Sequence, residues 1–246
     1  MGEIDRIWAS LEVEPRQEQF SEELVQGLPA PAQRYLRHAI APGTPLASSV
    51  TLTMSGSIKA GAWMRFTARQ ILTPGRGFVW KVKARWGPLV ITGADLYRQG
   101  EGRTLMKLFG LVALINASGP DVSKSALGRL AGESVLVPSS LVPREHVRWE
   151  AVDDERAIVE VTVDRKPTAI TLSIPPEGRP REVSLKRWGN QTGTGEYDYI
   201  PFGVAFDEEG TFGGFTIPTR LRAGWWFGTE RYNEFFRATI EQAEFA

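Results

Sequence analysis

The chain has 246 residues, 42% apolar and 24% charged, so it can build a sizeable core and is far from the composition of a disordered segment. Lys plus Arg equal Asp plus Glu at 29 each, which leaves no overall field to attract nucleic acid or an anionic membrane. The absence of cysteine excludes disulfides, thiolate catalysis, Cys-ligated zinc and iron–sulfur clusters.

Met1 to Val13 carries Glu3, Asp5 and Glu12 among its apolar residues, and lacks the basic and continuous apolar regions of a secretory signal. Within it Ile4, Ile7, Trp8 and Leu11 recur at helical spacing, predicting a short amphipathic helix over 3–12 that ends before Pro15. Ser21 is a good N-cap for a second helix that Gly27 closes, with Glu22 and Glu23 where the helix dipole favours acids. Pro29 and Pro31 start a third, whose stripe is Ala32, Tyr35, Leu36, Ala39 and Ile40, and Pro42-Gly43 stops it.

From Ser49 to Arg98 the pattern changes to a period of two. Val50, Leu52, Met54 and Ile58 alternate with serines and threonines; Met64, Phe66, Ala68 and Leu72 with Arg65, Thr67 and Arg69; Phe78, Trp80, Val82, Ala84 and Trp86 with Lys81, Lys83 and Arg85. Each is a strand with one dry and one wet face. Leu89 to Arg98 forms a fourth strand. The connections Lys59-Ala60-Gly61, Pro74-Gly75-Arg76 and Gly87-Pro88 are too short for parallel crossovers, so these strands run antiparallel.

A fifth strand follows and ends in the apolar run Leu108 to Ile115, well short of the roughly 20 residues a membrane helix needs. No transmembrane segment is expected, and with no signal the protein reads as cytoplasmic. Gly119-Pro120-Asp121 then caps a helix that places Val122, Ala126, Leu127, Leu130 and Ala131 on one side and ends at Gly132. Strands resume at 147–151, 157–164 and 170–174, and near 181–188, 196–206, 215–223 and 231–245. About a dozen strands at roughly 8–12-residue spacing describe an antiparallel sandwich or barrel, read as one domain over 1–246.

Four segments carry a resemblance: Leu28-Pro29-x-Pro31-x-x-Arg34-Tyr35-Leu36, Gly77-Phe78-Val79-Trp80, Val90-x-x-Gly93-x-Asp95-x-Tyr97 and Phe212-Gly213-Gly214-Phe215-x-Ile217-Pro218. Together they resemble a bacterial family of uncharacterised proteins, over most of the chain from Phe20 onward. The fold this implies is similar to that of the lipoprotein localisation factors. It is mainly β: a long antiparallel sheet curled into a half-barrel over 48–245, with the N-terminal helical segment 1–42 and one lid helix at about 121–132 covering the concave face, and an apolar cavity between. The family has no established activity, so the resemblance supplies no functional residues.

No catalytic motif emerges. His38 and His146 have no grouping of further ligands to build a metal site, no G-x-S-x-G occurs, and Ser139-Ser140 lies between prolines as a loop. Gly75-x-Gly77 and Gly193-x-Gly195 read as hairpin turns. Asp95 lies among apolar and small residues. Facing inward it needs an arginine or backbone donors, and a structural pair with an arginine of the neighbouring strand is favoured over a general base. No cofactor is indicated.

A curled sheet of this size cannot fill its own concavity, which, with the shape the resemblance implies, predicts a pocket for a hydrophobic small molecule or lipid. Its expected lining is Phe66, Trp80, Val82, Trp86, Leu96 and Trp149, with Leu127 and Leu130 from the lid. The alternative is a protein-interaction module. It would dock through Trp225-Trp226-Phe227-Gly228, whose aromatics cannot all face one side of a strand, or through a basic stripe of Arg65, Arg69, Lys81, Lys83 and Arg85.

Overall fold

A computed structural model describes residues 2–14 and 16–246; Met1, and Pro15 with its expected role in ending the first helix, lie outside the described residues. One antiparallel sheet contains thirteen strands among the described residues: β1 (Val50–Ala60), β2 (Ala62–Thr73), β3 (Gly77–Trp86), β4 (Leu89–Arg98), β5 (Glu101–Leu108), β6 (Val112–Ser118), β7 (Val147–Ala151), β8 (Arg156–Val163), β9 (Lys166–Ser173), β10 (Glu182–Gly189), β11 (Asp198–Phe212), β12 (Phe215–Trp225) and β13 (Asn233–Phe245). The chain enters at the middle of this sheet. It steps outward from β1 to the edge strand β6, crosses the concave face in the helix α3 (Pro120–Gly132), and returns from the opposite edge, β7, to β13. There β13 pairs with β1, Val50 opposite Phe245 and Ile58 opposite Phe236, joining the two halves. The order ends at β6 and β7, so the sheet stays open, and α3 packs on β4 and β5 of one half and on β8, β9 and β10 of the other.

Curvature has local causes. The ladders shift register at Thr53/Met54, Met106/Lys107, Phe206 to Glu209 and Ala223/Gly224, and such bulges sharpen the twist of a strand. On the inner face, a Cβ built at Gly93 would stand 2.0 Å from the Leu105 carbonyl oxygen. Any side chain there would force β4 and β5 apart.

The inner face carries the main core. Leu52, Phe66, Leu72, Phe78, Trp80 and Tyr97 of the first half meet Val159, Ile170, Leu172, Ile200 and Ile217 of the second through Leu130 and Ala131 of α3. The apolar run at 108–115, expected as one strand end, turns back on itself: Leu111 N–H donates to the Leu108 carbonyl, with Phe109 and Gly110 at positive φ. The resulting edge strand β6 leaves Phe109, Leu111, Val112, Leu114 and Ile115 exposed.

The N-terminal helices divide between the two faces. The second helix expected from sequence is a short 3-10 turn, Glu22–Val25, and α2 (Ala30–Ala39) sinks Tyr35, Leu36 and Ala39 into the inner core. The helix α1 (Glu3–Leu11) instead lies on the convex side. Its Ile4, Ile7, Trp8 and Leu11 cover Ile71, Val79 and Leu96, the odd or even positions that point away from the concavity in each strand.

Candidate functional site

Beneath α3 the inner faces of the two halves line an apolar cavity of about 320 Å³ that is partly open to solvent. Its walls are Met54, Ile58 and Trp80 from one half, Leu221, Phe236, Ala238 and Ile240 from the centre, and Val183, Phe202 and Val204 from the other. Aromatic contacts stiffen it. Phe66 stacks on Phe236 with ring centres 5.2 Å apart and meets Trp80 edge-on at 5.6 Å.

One end of this cavity is polar. Arg129, on α3, donates Nε–H to Glu133 at 2.7 Å and a terminal N–H to Asp95 at 2.6 Å. Gln70 on β2 donates to the other Glu133 oxygen at 2.6 Å and accepts from Arg129 at 3.3 Å, while Thr104 on β5 donates to the other Asp95 oxygen at 2.8 Å. Burial works against the Arg129 charge, but Glu133 and Asp95 more than offset it and its pKa is raised. All four carboxylate oxygens are occupied, so the cluster is a structural tie between α3 and β2, β4 and β5. Asp95 thus faces inward, as expected of one of its two orientations, and its arginine comes from the crossing helix instead of a neighbouring strand. Sequence spacing could not show this, because Arg129 is 34 positions away on an element whose docking only tertiary structure sets.

A second cation stands on the opposite wall. Arg187 of β10 donates Nε–H to the Ser125 carbonyl of α3 at 3.1 Å, and its guanidinium lies over the rings of Phe202 at 4.7 Å and Trp225 at 5.1 Å. Burial pushes its pKa down to about 10, with Arg129 adding to the shift. Arg187 and Phe202 were not singled out in the sequence, where Arg187 reads as one more charge in a Lys-Arg-Trp run, and Trp225 was marked there only as part of a docking tip.

The expected lining residues separate. Trp80 lines the cavity and Phe66 backs it through the Phe236 stack. Leu130 of α3 is fully buried in the core, and Val82 and Leu127 border a larger, more open and more polar groove at the start of α3. Trp149 is drawn aside, its indole N–H bonded to the Leu141 carbonyl and its ring 6.2 Å from Tyr35. Two expectations need correction. Leu96 points the other way, under α1, because adjacent strand residues alternate and Asp95 takes the inner position. Trp86 shares the inner parity of β3 but extends past the covered region and is 56% exposed.

The alternative docking surfaces are occupied only in part. Trp225 is buried against Phe202, and Trp226 donates its N–H to the Gln191 carbonyl under Arg231, 3.7 Å from the ring centre. Of the basic stripe, Arg69 and Lys81 lie against the Trp8 ring, 5.4 and 4.8 Å from its centre, Arg69 staying exposed, and Lys81 pairs with Asp5 at 2.7 Å. Arg65, Lys83 and Arg85 remain exposed on the convex side. No His, Asp or Glu grouping able to hold a metal occurs among the described residues, and none of their helices is long and apolar enough to cross a membrane.

Comparison with solved structures finds similarity to a LolA superfamily protein from Nitrosomonas europaea, with TM-score 0.43 and 13% identity over 88% of this chain and 92% of that one. A domain described as an outer membrane lipoprotein-sorting protein from Vibrio parahaemolyticus gives TM-score 0.42 and 10% identity over 80% and 85%. A porin-like protein from Bacteroides uniformis gives TM-score 0.29 and 10% identity over 80% and 98%. Comparison with curated protein sequences finds no match. Residues 18–238 match a family of unknown function, DUF6544, and the chain belongs to that family.

Proposed function

We propose that this protein is a non-enzymatic binder or carrier that takes an apolar or lipid-like molecule into the concavity beneath α3. The observation that carries this reading is the unfilled volume of about 320 Å³ between the curled sheet and the helix, walled by Met54, Trp80, Phe202, Leu221, Phe236 and Ile240. Protein interiors pack closely, so an apolar recess of this size left open between sheet and helix exposes surface that a ligand would cover. A water takes about 30 Å³, so the space holds on the order of ten methylene-sized groups, roughly one acyl chain. The polar groups nearest it support binding over catalysis, since every Asp95 and Glu133 oxygen already accepts a hydrogen bond and no free base remains there.

Native mass spectrometry of the gently purified full chain, before and after incubation with a single-chain amphiphile, tests this reading. The expected result is a one-to-one adduct that disappears when Ala238→Phe fills the cavity. Equal adduct formation by the filled variant would sink it.

A further inference from the structure

The donors and acceptors around the cavity do not balance. The acceptors are spent: both oxygens of Asp95, both of Glu133 and the amide oxygen of Gln70 each receive a bond from within the cluster. Two donor groups are left over. Trp80, 3% exposed, has a buried indole N–H with no partner. Arg187, part-exposed at the cavity wall, uses only Nε, toward Ser125; no carboxylate comes within ion-pair distance of its two terminal nitrogens among the described residues, and these nitrogens are not sealed from solvent. Asp95 and Glu133 attract it from across the cavity without touching it. A guanidinium on two aromatic faces in an apolar wall loses part of its hydration and lacks the bidentate partner that would offset that loss. The missing partner is an acceptor with negative charge, the group for which the guanidinium fork is built.

We infer that the ligand is an anionic amphiphile, one acyl chain ending in a carboxylate or phosphate head, with the head on the terminal nitrogens of Arg187 and the chain along Leu221, Phe236 and Ile240. This rests on the cavity being a binding site and adds the chemistry of what fills it. A fatty acid and a single-chain phosphate ester share that chemistry, and free inorganic phosphate offers only the head.

Titration of the full chain with dodecanoate, dodecyl phosphate, dodecanol, dodecyltrimethylammonium and inorganic phosphate separates the possibilities. The expected result is that one or both anionic chains bind at least about tenfold more tightly than the alcohol, that the cation binds no better than the alcohol, and that phosphate alone binds far more weakly. Arg187→Met should erase the preference for anions while leaving dodecanol affinity within about threefold, and Arg187→Lys should restore part of it. Equal binding of acid and alcohol to the wild type overturns the anionic head but leaves an apolar cavity that binds ligand. Phosphate binding as tightly as its dodecyl ester overturns the amphiphile. Failure of every chain-bearing probe overturns both this inference and the function it rests on.

Discussion

Arg129 of α3 and Asp95 of β4 meet at 2.6 Å inside the curled sheet, both less than one-fifth exposed, and this bond ties the crossing helix to the half of the sheet that it has just left. Its partners Glu133 and Gln70 extend the tie to β2. On the far side α3 is held differently. Arg187 reaches the Ser125 carbonyl, Trp188 donates to Asp121 at 2.8 Å, and Lys124 sits 3.3 Å above the Trp188 ring. The helix is thereby stapled across the opening between the two sheet edges, and the cavity exists because the staple holds.

Replacing Arg129 by alanine strands Asp95 and Glu133 as unpaired, part-buried carboxylates. A loss of about 3 kcal/mol in unfolding free energy is expected, in the range for removing one partner of a buried pair. Urea denaturation measures it. A loss below about 1 kcal/mol would show that water already solvates the cluster.

Leu96→Ala and Phe236→Ala should behave oppositely. The first empties a site between α1 and the convex face, costing about 2–3 kcal/mol while leaving uptake of an apolar probe unchanged. The second removes a cavity wall and should alter probe affinity. If Leu96→Ala abolished uptake at a temperature where the protein stays folded, the assignment of α1 to the outer face would fail.

Asp207 and Arg222 make a two-pronged pair, both bonds at 2.9 Å, and the arginine holds the Asp207 carboxyl below its ordinary pKa. A depressed carboxylate stabilises the fold above its unfolded pKa of about 3.9, and that stabilisation is lost as the pH falls through the lower folded value. Asp207→Asn should therefore cost up to about 1 kcal/mol at pH 7, discounted for exposure of the pair, and the difference from wild type should shrink below about pH 4. Thermal midpoints of both proteins across that range check the sign; a gap that widens on acidification would contradict it.

Because β1 pairs with β13, the strands before and after α3 form one sheet, and they should unfold together. Tryptophan emission and far-ultraviolet circular dichroism should report one shared transition in denaturant. Two separated transitions would mean that the halves fold independently.

Much of this architecture could be read from residue patterns, and the reasons differ by element. Strands β1 to β3 announce themselves because one face is dry and the other wet, so Leu52, Phe66 and Trp80 stand out from Thr53, Thr67 and Lys81. The helix α3 shows through its cap and stripe. What a pattern cannot carry is the partner of a face. The stripe of α1 fits either side of the sheet, and only the structure shows it on the convex side, over the Leu96 that strand alternation turns outward once Asp95 faces in. The hairpin at Phe109-Gly110 hides inside an apolar run, since β6 is exposed and has no polar alternation to mark it. Arg187 was silent for a similar reason: a lone cation reveals its isolation only when its surroundings are seen.

The most direct test is a crystal structure of the full chain grown with a terminally brominated dodecanoic acid, with the bromine located by its anomalous scattering. The expected site lies beneath α3 in contact with Phe236 or Ile240, with the carboxylate toward Arg187. A bromine confined to the exposed edge at Leu111 and Val112, or a cavity closed by side chains with no bromine inside, would contradict the account.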